Sequence, residues 1–276
     1  DGAQSTLESQ MQGPLYSPLE MGNNPANLLS TLNHNSAYQK LFTQAFGQSD
    51  ITLANVYTAI TAFESSLISL NSRYDLYAHG YHAALTEEEK AGLNVFRSFV
   101  ARCAECHTPP LFTNQQLAVI GVADAPNMMI DPGAQAVTGD ESQRGAFRVP
   151  SLRNVVRTAP YMHRGQKATL ADAARFYTGG RGHEVPEGDA LMIHWHIWEP
   201  KLTEREIELL TGFMGTLTDE AFMPAIPPQV PSGLPVTRAT KAPRAPADTL
   251  VHNIATPALQ QQQSAQANRP QGGNTP

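Results

Sequence analysis

Cys103-Ala104-Glu105-Cys106-His107 constrains this chain more than any other stretch, and it holds the only two cysteines among 276 residues. Two thiols separated by two residues, with an imidazole next to the second, suit covalent attachment of a haem. The thiols add across the two vinyl groups, and the histidine is then held beneath the iron as its proximal ligand. Three other uses compete. A thioredoxin-like redox pair needs a preceding strand and a βαβ pattern, and neither is visible. A zinc site needs a second ligand pair; His194 and His196 offer one, but they flank Trp195 in no known finger pattern. A disulfide across two intervening residues would be strained. Haem accounts for the pattern best. It implies one covalently held haem c on this chain and maturation outside the bacterial cytoplasm, and it places the opposite iron ligand elsewhere in the sequence.

The rest of the composition narrows the class. Apolar residues make up 41%, enough to bury a core. Only 16% are charged, the net charge is −6, and no Lys/Arg cluster stands out, so nucleic acid is not an expected partner. No run of eighteen apolar residues occurs, so no membrane span is expected. The chain starts at Asp1-Gly2-Ala3-Gln4 with no initiator Met, basic n-region or apolar h-region. It reads as a processed product or a piece of a longer protein.

Helical periodicity dominates. Leu53, Val56, Ile60, Phe63, Leu67 and Leu70 form one stripe over 53–70, with Ser49 or Asp50 as its cap. A shorter helix fits 36–46 and stops at Gly47. Thr86-Glu87-Glu88-Glu89 and Thr203-Glu204-Arg205-Glu206 are capping boxes, the first opening a helix that runs towards Cys103. Thr169-Leu170 opens another helix, closed by Gly179-Gly180. Residues 108–150 read as a long loop. The last 54 residues hold ten of the 21 prolines and a Gln260–Gln263 run, the composition of a disordered tail. Strand patterns are weak throughout.

Four stretches carry a resemblance. They are FRSFVARCAECHTPPLF (96–112), FRVPSLRNV (147–155), TAPYMHRG (158–165), and Thr169-Leu170 followed by FYTGG (176–180). In this order they resemble the second, C-terminal haem half of the bacterial di-haem cytochrome c peroxidase / MauG family. The resemblance extends over about residues 1–220. Asp1-Gly2 looks like the end of the family's Phe-Trp-Asp-Gly element, and Gln10 to Met21 like its Q…GP…NPxEM segment. The family has two CxxCH motifs and this chain one, so the chain looks like a member lacking its N-terminal portion.

The resemblance implies an all-α fold. A cytochrome c-like haem domain would span 73–222, a helical remainder of the peroxidatic haem domain 1–72, and a Pro/Gln-rich disordered tail 223–276. It implies that Gln10 and Glu20 line the distal pocket of the first haem, with Glu20 as acid/base for peroxide; the alternative for Glu20 is a solvated surface charge. The distal iron ligand falls seven residues after Leu170, on Tyr177, with Met162 or Met192 as alternatives. A phenolate there favours ferric and higher oxidation states, whereas Met raises the potential. Carbonyls of Thr158 and Pro160 match positions that help bind Ca²⁺ in the family. His163 is a candidate for a propionate or the calcium-site water, or is a surface histidine. Arg148 and Arg153 are candidates to pair with propionates. His194-Trp195-His196-Ile197-Trp198 is given no chemistry.

The implied function is reduction of hydrogen peroxide in the periplasm. A second haem is expected in the intact protein, and a small cytochrome, a copper protein or a protein substrate as redox partner. A homodimer is also expected, since family members are often dimers. The alternatives are MauG-like oxidation of a protein Trp or Tyr, and a mono-haem electron carrier.

Overall fold

The computed structural model describes residues 1–124, 131–185, 187–197, 201–222 and 224–234. The tail expected from residue 223 therefore lies, from 235 onward, outside the described residues, as does Trp198.

Helices begin where the sequence supplies an oxygen for their unpaired N–H groups. The first are α1 (Leu7–Gln10), α2 (Gln12–Tyr16), α3 (Pro25–Asn33), α4 (Ser36–Phe46) and α5 (Leu53–Ser66). Asn35 caps α4, accepting from the backbone of Ala37 and Tyr38, and Gly47 closes it at φ 71°. Thr52, not Ser49 or Asp50, caps α5 through the backbone N–H of Asn55. The helix also ends at Ser66, short of the expected Leu70, because Leu67 has already left helical geometry with ψ 72°. Of the apolar stripe only Val56 is buried; Phe63 is 55% exposed. The segment is tied internally by polar groups. Asn33 Nδ2 donates to the Ile51 carbonyl and its Oδ1 accepts from the Ile51 N–H, both at 3.1 Å. The hydroxyls of Tyr16 and Tyr57 lie 2.6 Å apart. Burial, aided by that hydrogen bond, pushes the Tyr16 phenol up to about 12.

Next come α6 (Arg73–Ala78), α7 (Glu87–Phe96), α8 (Cys103–Cys106), β1 (Leu117–Val119), α9 (Gln135–Thr138), β2 (Ala146–Arg148), α10 (Leu170–Phe176) and α11 (Glu204–Gly215). Thr86 with Glu89 and Thr203 with Glu206 form the two expected capping boxes. The helix opened at Thr86 stops at Phe96, however. Arg102, at φ 55°, then turns the chain so that the cysteines begin a separate turn, α8. The stretch 108–150 is not all loop: β1 and β2 pair antiparallel, with Leu117 opposite Arg148 and Val119 opposite Ala146. Strands of three residues are too short to show a period-two pattern. The structure is thus helix-rich, as expected, with one small two-stranded ribbon among the described residues.

The core lies where α7 crosses α11 and α10 packs on α11. Phe96, Phe112, Phe213 and Leu217 are at most 1% exposed, and the Phe96 and Phe213 rings lie 5.2 Å apart. The crossing depends on Gly92, where a Cβ would sit 2.0 Å from the Leu209 carbonyl oxygen. Phe213 also approaches Phe112 at 6.2 Å and Tyr74 at 5.9 Å. Phe213→Ala is expected to destabilise the fold by about 3–5 kcal/mol, read from the denaturant midpoint. A midpoint within error of wild type would contradict this packing.

Candidate haem-binding site

Helix α8 presents Cys103 and Cys106 from one turn, and both thiols are free. Burial pushes the Cys103 thiol up to about 12. Cys106 is raised by burial and then by the charge of Glu105. His107 follows at the end of the turn. Its Nδ1 lies 3.1 Å from the carbonyl oxygen of Phe112 and 3.1 Å from that of Pro150. A carbonyl only accepts, so Nδ1 carries the proton and Nε2 keeps its lone pair. Among the described residues Nε2 takes no hydrogen-bond partner. Burial lowers the pKa of the imidazole while the two carbonyls resist that shift. The result is a neutral, oriented imidazole, the form that ligates a metal.

Tyr177 follows α10 directly, in a short 3₁₀ turn that Gly180 closes. Its pKa is raised, first by burial and then by the charges of Cys103 and Cys106, so the phenol lies within electrostatic reach of both thiols. Its hydroxyl has no hydrogen-bond partner among the described residues. Met192, an alternative ligand, is 67% exposed. Two thiols on one turn, an imidazole whose Nε2 is left over among the described residues, and a phenol within electrostatic reach of the thiols together fit a covalently attached haem.

The other residues singled out in the sequence are placed differently. Arg153 is engaged throughout its guanidinium. Nε donates to the Pro110 carbonyl at 2.9 Å, Nη1 to Asp75 at 2.6 Å and Ser72 at 3.1 Å, and Nη2 to Asp75 at 2.7 Å and Pro110 at 2.5 Å. That leaves no N–H for a propionate, which corrects the expectation for this residue. Arg148 is exposed on β2, opposite Leu117. His163 stacks on Phe147 at 4.1 Å, with Nε2 3.2 Å from Asp124 Oδ1. Thr158 donates its hydroxyl to the Val155 carbonyl, and the Ala159–Pro160 peptide is cis. Gln10 ends α1 and Glu20 lies in the turn after α2, both exposed. No group of three His, Cys, Asp or Glu side chains at metal spacing comes together among the described residues.

Two features escaped the sequence. The carbonyls of Phe112 and Pro150 were invisible because a backbone oxygen leaves no residue-type signal. The His194–Ile197 loop, given no chemistry, borders the cysteine turn. His196 Nε2 lies 3.0 Å from Glu105 Oε2, and Arg102 Cζ sits 4.5 Å above Phe99 and 6.0 Å above Trp195.

Comparison with known proteins bears on the family of the chain. The family model described as di-haem cytochrome c peroxidase matches residues 1–83. The cytochrome c551 peroxidase of Nitrosomonas europaea is 30% identical over 233 residues, covering 83% of this chain and 64% of the relative. The methylamine utilization protein MauG of Methylophilus methylotrophus is 33% identical over 178 residues, covering 64% of this chain and 52% of the relative. A MauG-like protein associated with microbial copper homeostasis superposes with a TM-score of 0.72 at 33% identity, over 80% of this chain and 71% of its own. The chain belongs to the di-haem cytochrome c peroxidase / MauG family. It spans about half to two thirds of the length of the curated relatives it matches. A second family fold, the diheme peroxidase BthA of Burkholderia thailandensis, superposes with a TM-score of 0.66 over 84% of this chain. Among the described residues no helix is long and apolar enough to cross a membrane.

Proposed function

We propose that this chain supplies the electron-transfer haem c, and part of the peroxidatic pocket, of a di-haem oxidoreductase that reduces hydrogen peroxide. The observation that carries the reading is His107 Nδ1 held between two carbonyls beside two free thiols and the Tyr177 phenol. In this reading residues 73–222 form a cytochrome c-like domain, 1–72 belong to the peroxidatic unit, and 223–276 are a tail. Haem, when bound, supplies one-electron chemistry that no side chain provides.

The chain's own residues do the rest. Cys103 and Cys106 form the thioethers. His107, through Nε2, and Tyr177, through its phenolate oxygen, are the residues that would hold the haem iron. A Tyr177 phenolate would donate more charge than a thioether and would hold the potential low. On the peroxide side, Glu20 takes a proton from one peroxide oxygen and returns it to the leaving oxygen, and Gln10 orients the molecule by hydrogen bonding. Carbonyls of Thr158 and Pro160 contribute to a calcium site, with His163 nearby. Arg148 is available to a propionate. A small cytochrome or copper protein delivers electrons in the periplasm, where c-type attachment takes place, and a second copy of the chain is the expected oligomeric partner.

A specific observation supports the second reading as well. Tyrosine, not methionine, stands within electrostatic reach of the thiols, and a MauG-like structure superposes with a TM-score of 0.72. It keeps oxidation of a Trp or Tyr on a protein substrate as the second reading.

The test is peroxide turnover by the holoprotein purified from its source, with a reduced c-type cytochrome as donor. Glu20→Gln is expected to lower the turnover number by about 10²–10⁴-fold at unchanged haem content. Turnover equal to wild type would remove Glu20 from the reaction. Absence of any peroxide consumption by the wild-type holoprotein would overturn the peroxidase reading.

A further inference from the structure

The carbonyls that hold His107 belong to two separate stretches of chain, 108–113 and 149–153. Neither is a regular helix or strand, so something must keep both oxygens within reach of one nitrogen. Part of the lacing is local. Ser151 Oγ donates to the Leu111 carbonyl at 2.5 Å, Thr113 Oγ1 to the Val149 carbonyl at 2.6 Å, and the Leu152 N–H to the Phe112 carbonyl at 3.3 Å. The remaining tie is Arg153. From the second stretch it reaches across to the first, grips the Pro110 carbonyl with two nitrogens, and lies with Cζ 5.2 Å over the Phe112 ring. The far side of the same guanidinium is anchored on α6 by Asp75, whose carboxylate also accepts from the Ser72 hydroxyl and N–H. The ion pair is well enclosed, with side-chain exposures of 7% and 13%. An enclosed, doubly hydrogen-bonded guanidinium is rigid in a way a surface pair is not.

We propose that Arg153, braced by Asp75, is a positioning residue for the haem iron: it fixes the Pro110–Phe112 turn against Pro150 so that both carbonyls stay on His107 Nδ1. The proposal rests on reading Cys103–His107 as the haem site. Its consequence is electronic. A carbonyl accepting the Nδ1 proton makes the imidazole a stronger donor through Nε2, and a stronger donor favours the ferric state. Releasing the turn weakens that donation and raises the potential. Lysine cannot replace the brace fully, because one ammonium cannot span a carboxylate and a carbonyl as a planar fork does.

The experiment is a redox titration of the holoprotein and of four variants: Arg153→Met, Arg153→Lys, Asp75→Asn and Arg73→Met. Arg73 pairs with Glu89 between α6 and α7 and touches neither stretch, so it controls for general loosening. Arg153→Met is expected to shift the ferric–ferrous equilibrium about tenfold towards ferrous, a rise of about 59 mV for one electron. Arg153→Lys and Asp75→Asn should shift it less, in the same direction, and Arg73→Met not at all. If Arg153→Met does not fold, Asp75→Asn decides. Unchanged potentials in the Arg153 and Asp75 variants, or an equal shift in Arg73→Met, would overturn the proposal. A wild-type protein without covalent haem, measured as the pyridine haemochrome of the denatured chain, would overturn the haem reading itself.

Discussion

Replacing both Cys103 and Cys106 by alanine is expected to abolish covalent haem attachment, so that the denatured chain no longer stains for haem. The core explains why the loss should be largely confined to the site. Phe96, Phe112, Phe213 and Leu217 are buried where α7, α10 and α11 meet, and α8 adds only the half-buried Cys103 and Ala104 to the edge of that cluster. The double variant should therefore keep its helical far-UV signal while losing the Soret band. Single variants separate the two thiols: each is expected to retain haem through one thioether, with the reduced α-band displaced to longer wavelength by the remaining vinyl group. Haem that still resists denaturation in the double variant would show that attachment lies elsewhere.

Tyr177→Met is the second large effect. Tyr177 lies within electrostatic reach of both thiols and its hydroxyl has no hydrogen-bond partner among the described residues, so a thioether in its place breaks no hydrogen bond there. Exchange of an anionic oxygen donor for neutral sulfur removes charge from the iron's coordination sphere and stabilises the ferrous form. Axial ligands set potentials across roughly 0.8 V, and this exchange is expected to raise the potential by on the order of a hundred millivolts or more. The rise should come with loss of any phenolate-to-iron charge-transfer band in the ferric spectrum. An unchanged potential and spectrum would mean that Tyr177 packs against the site without entering it. The two readings of function respond differently: easier electron uptake from a small donor suits the peroxidase, whereas oxidation of a protein residue should weaken.

How much of this was legible beforehand follows from the kind of signal each element leaves. Thr86, Thr169 and Thr203 announced their helices because a cap combines a residue type with a fixed offset. The cysteine motif was legible for the same reason. Helix ends set by backbone torsion were not: α5 stops at Ser66 although its apolar spacing continues, and α7 stops before Arg102 takes φ 55°. The ribbon of β1 and β2 was too short to show alternation. Within the site, side chains were readable and backbone carbonyls were not, so Phe112 and Pro150 went unseen although they orient the key imidazole. Arg153 is legible as a charge, and the anion it meets in the structure is Asp75. Sequence shows that a guanidinium needs an anion, but not that Asp75, 78 positions earlier, is the one it meets.

Every role proposed for this chain depends on Cys103–His107 being a covalent haem site. The most direct measurement is the mass of the proteolytic peptide that contains these five residues, taken from protein purified from its source without reductive alkylation. The prediction is a single peptide carrying one intact haem through both sulfurs. A colourless peptide at its unmodified mass, with two thiols open to alkylation, would contradict it.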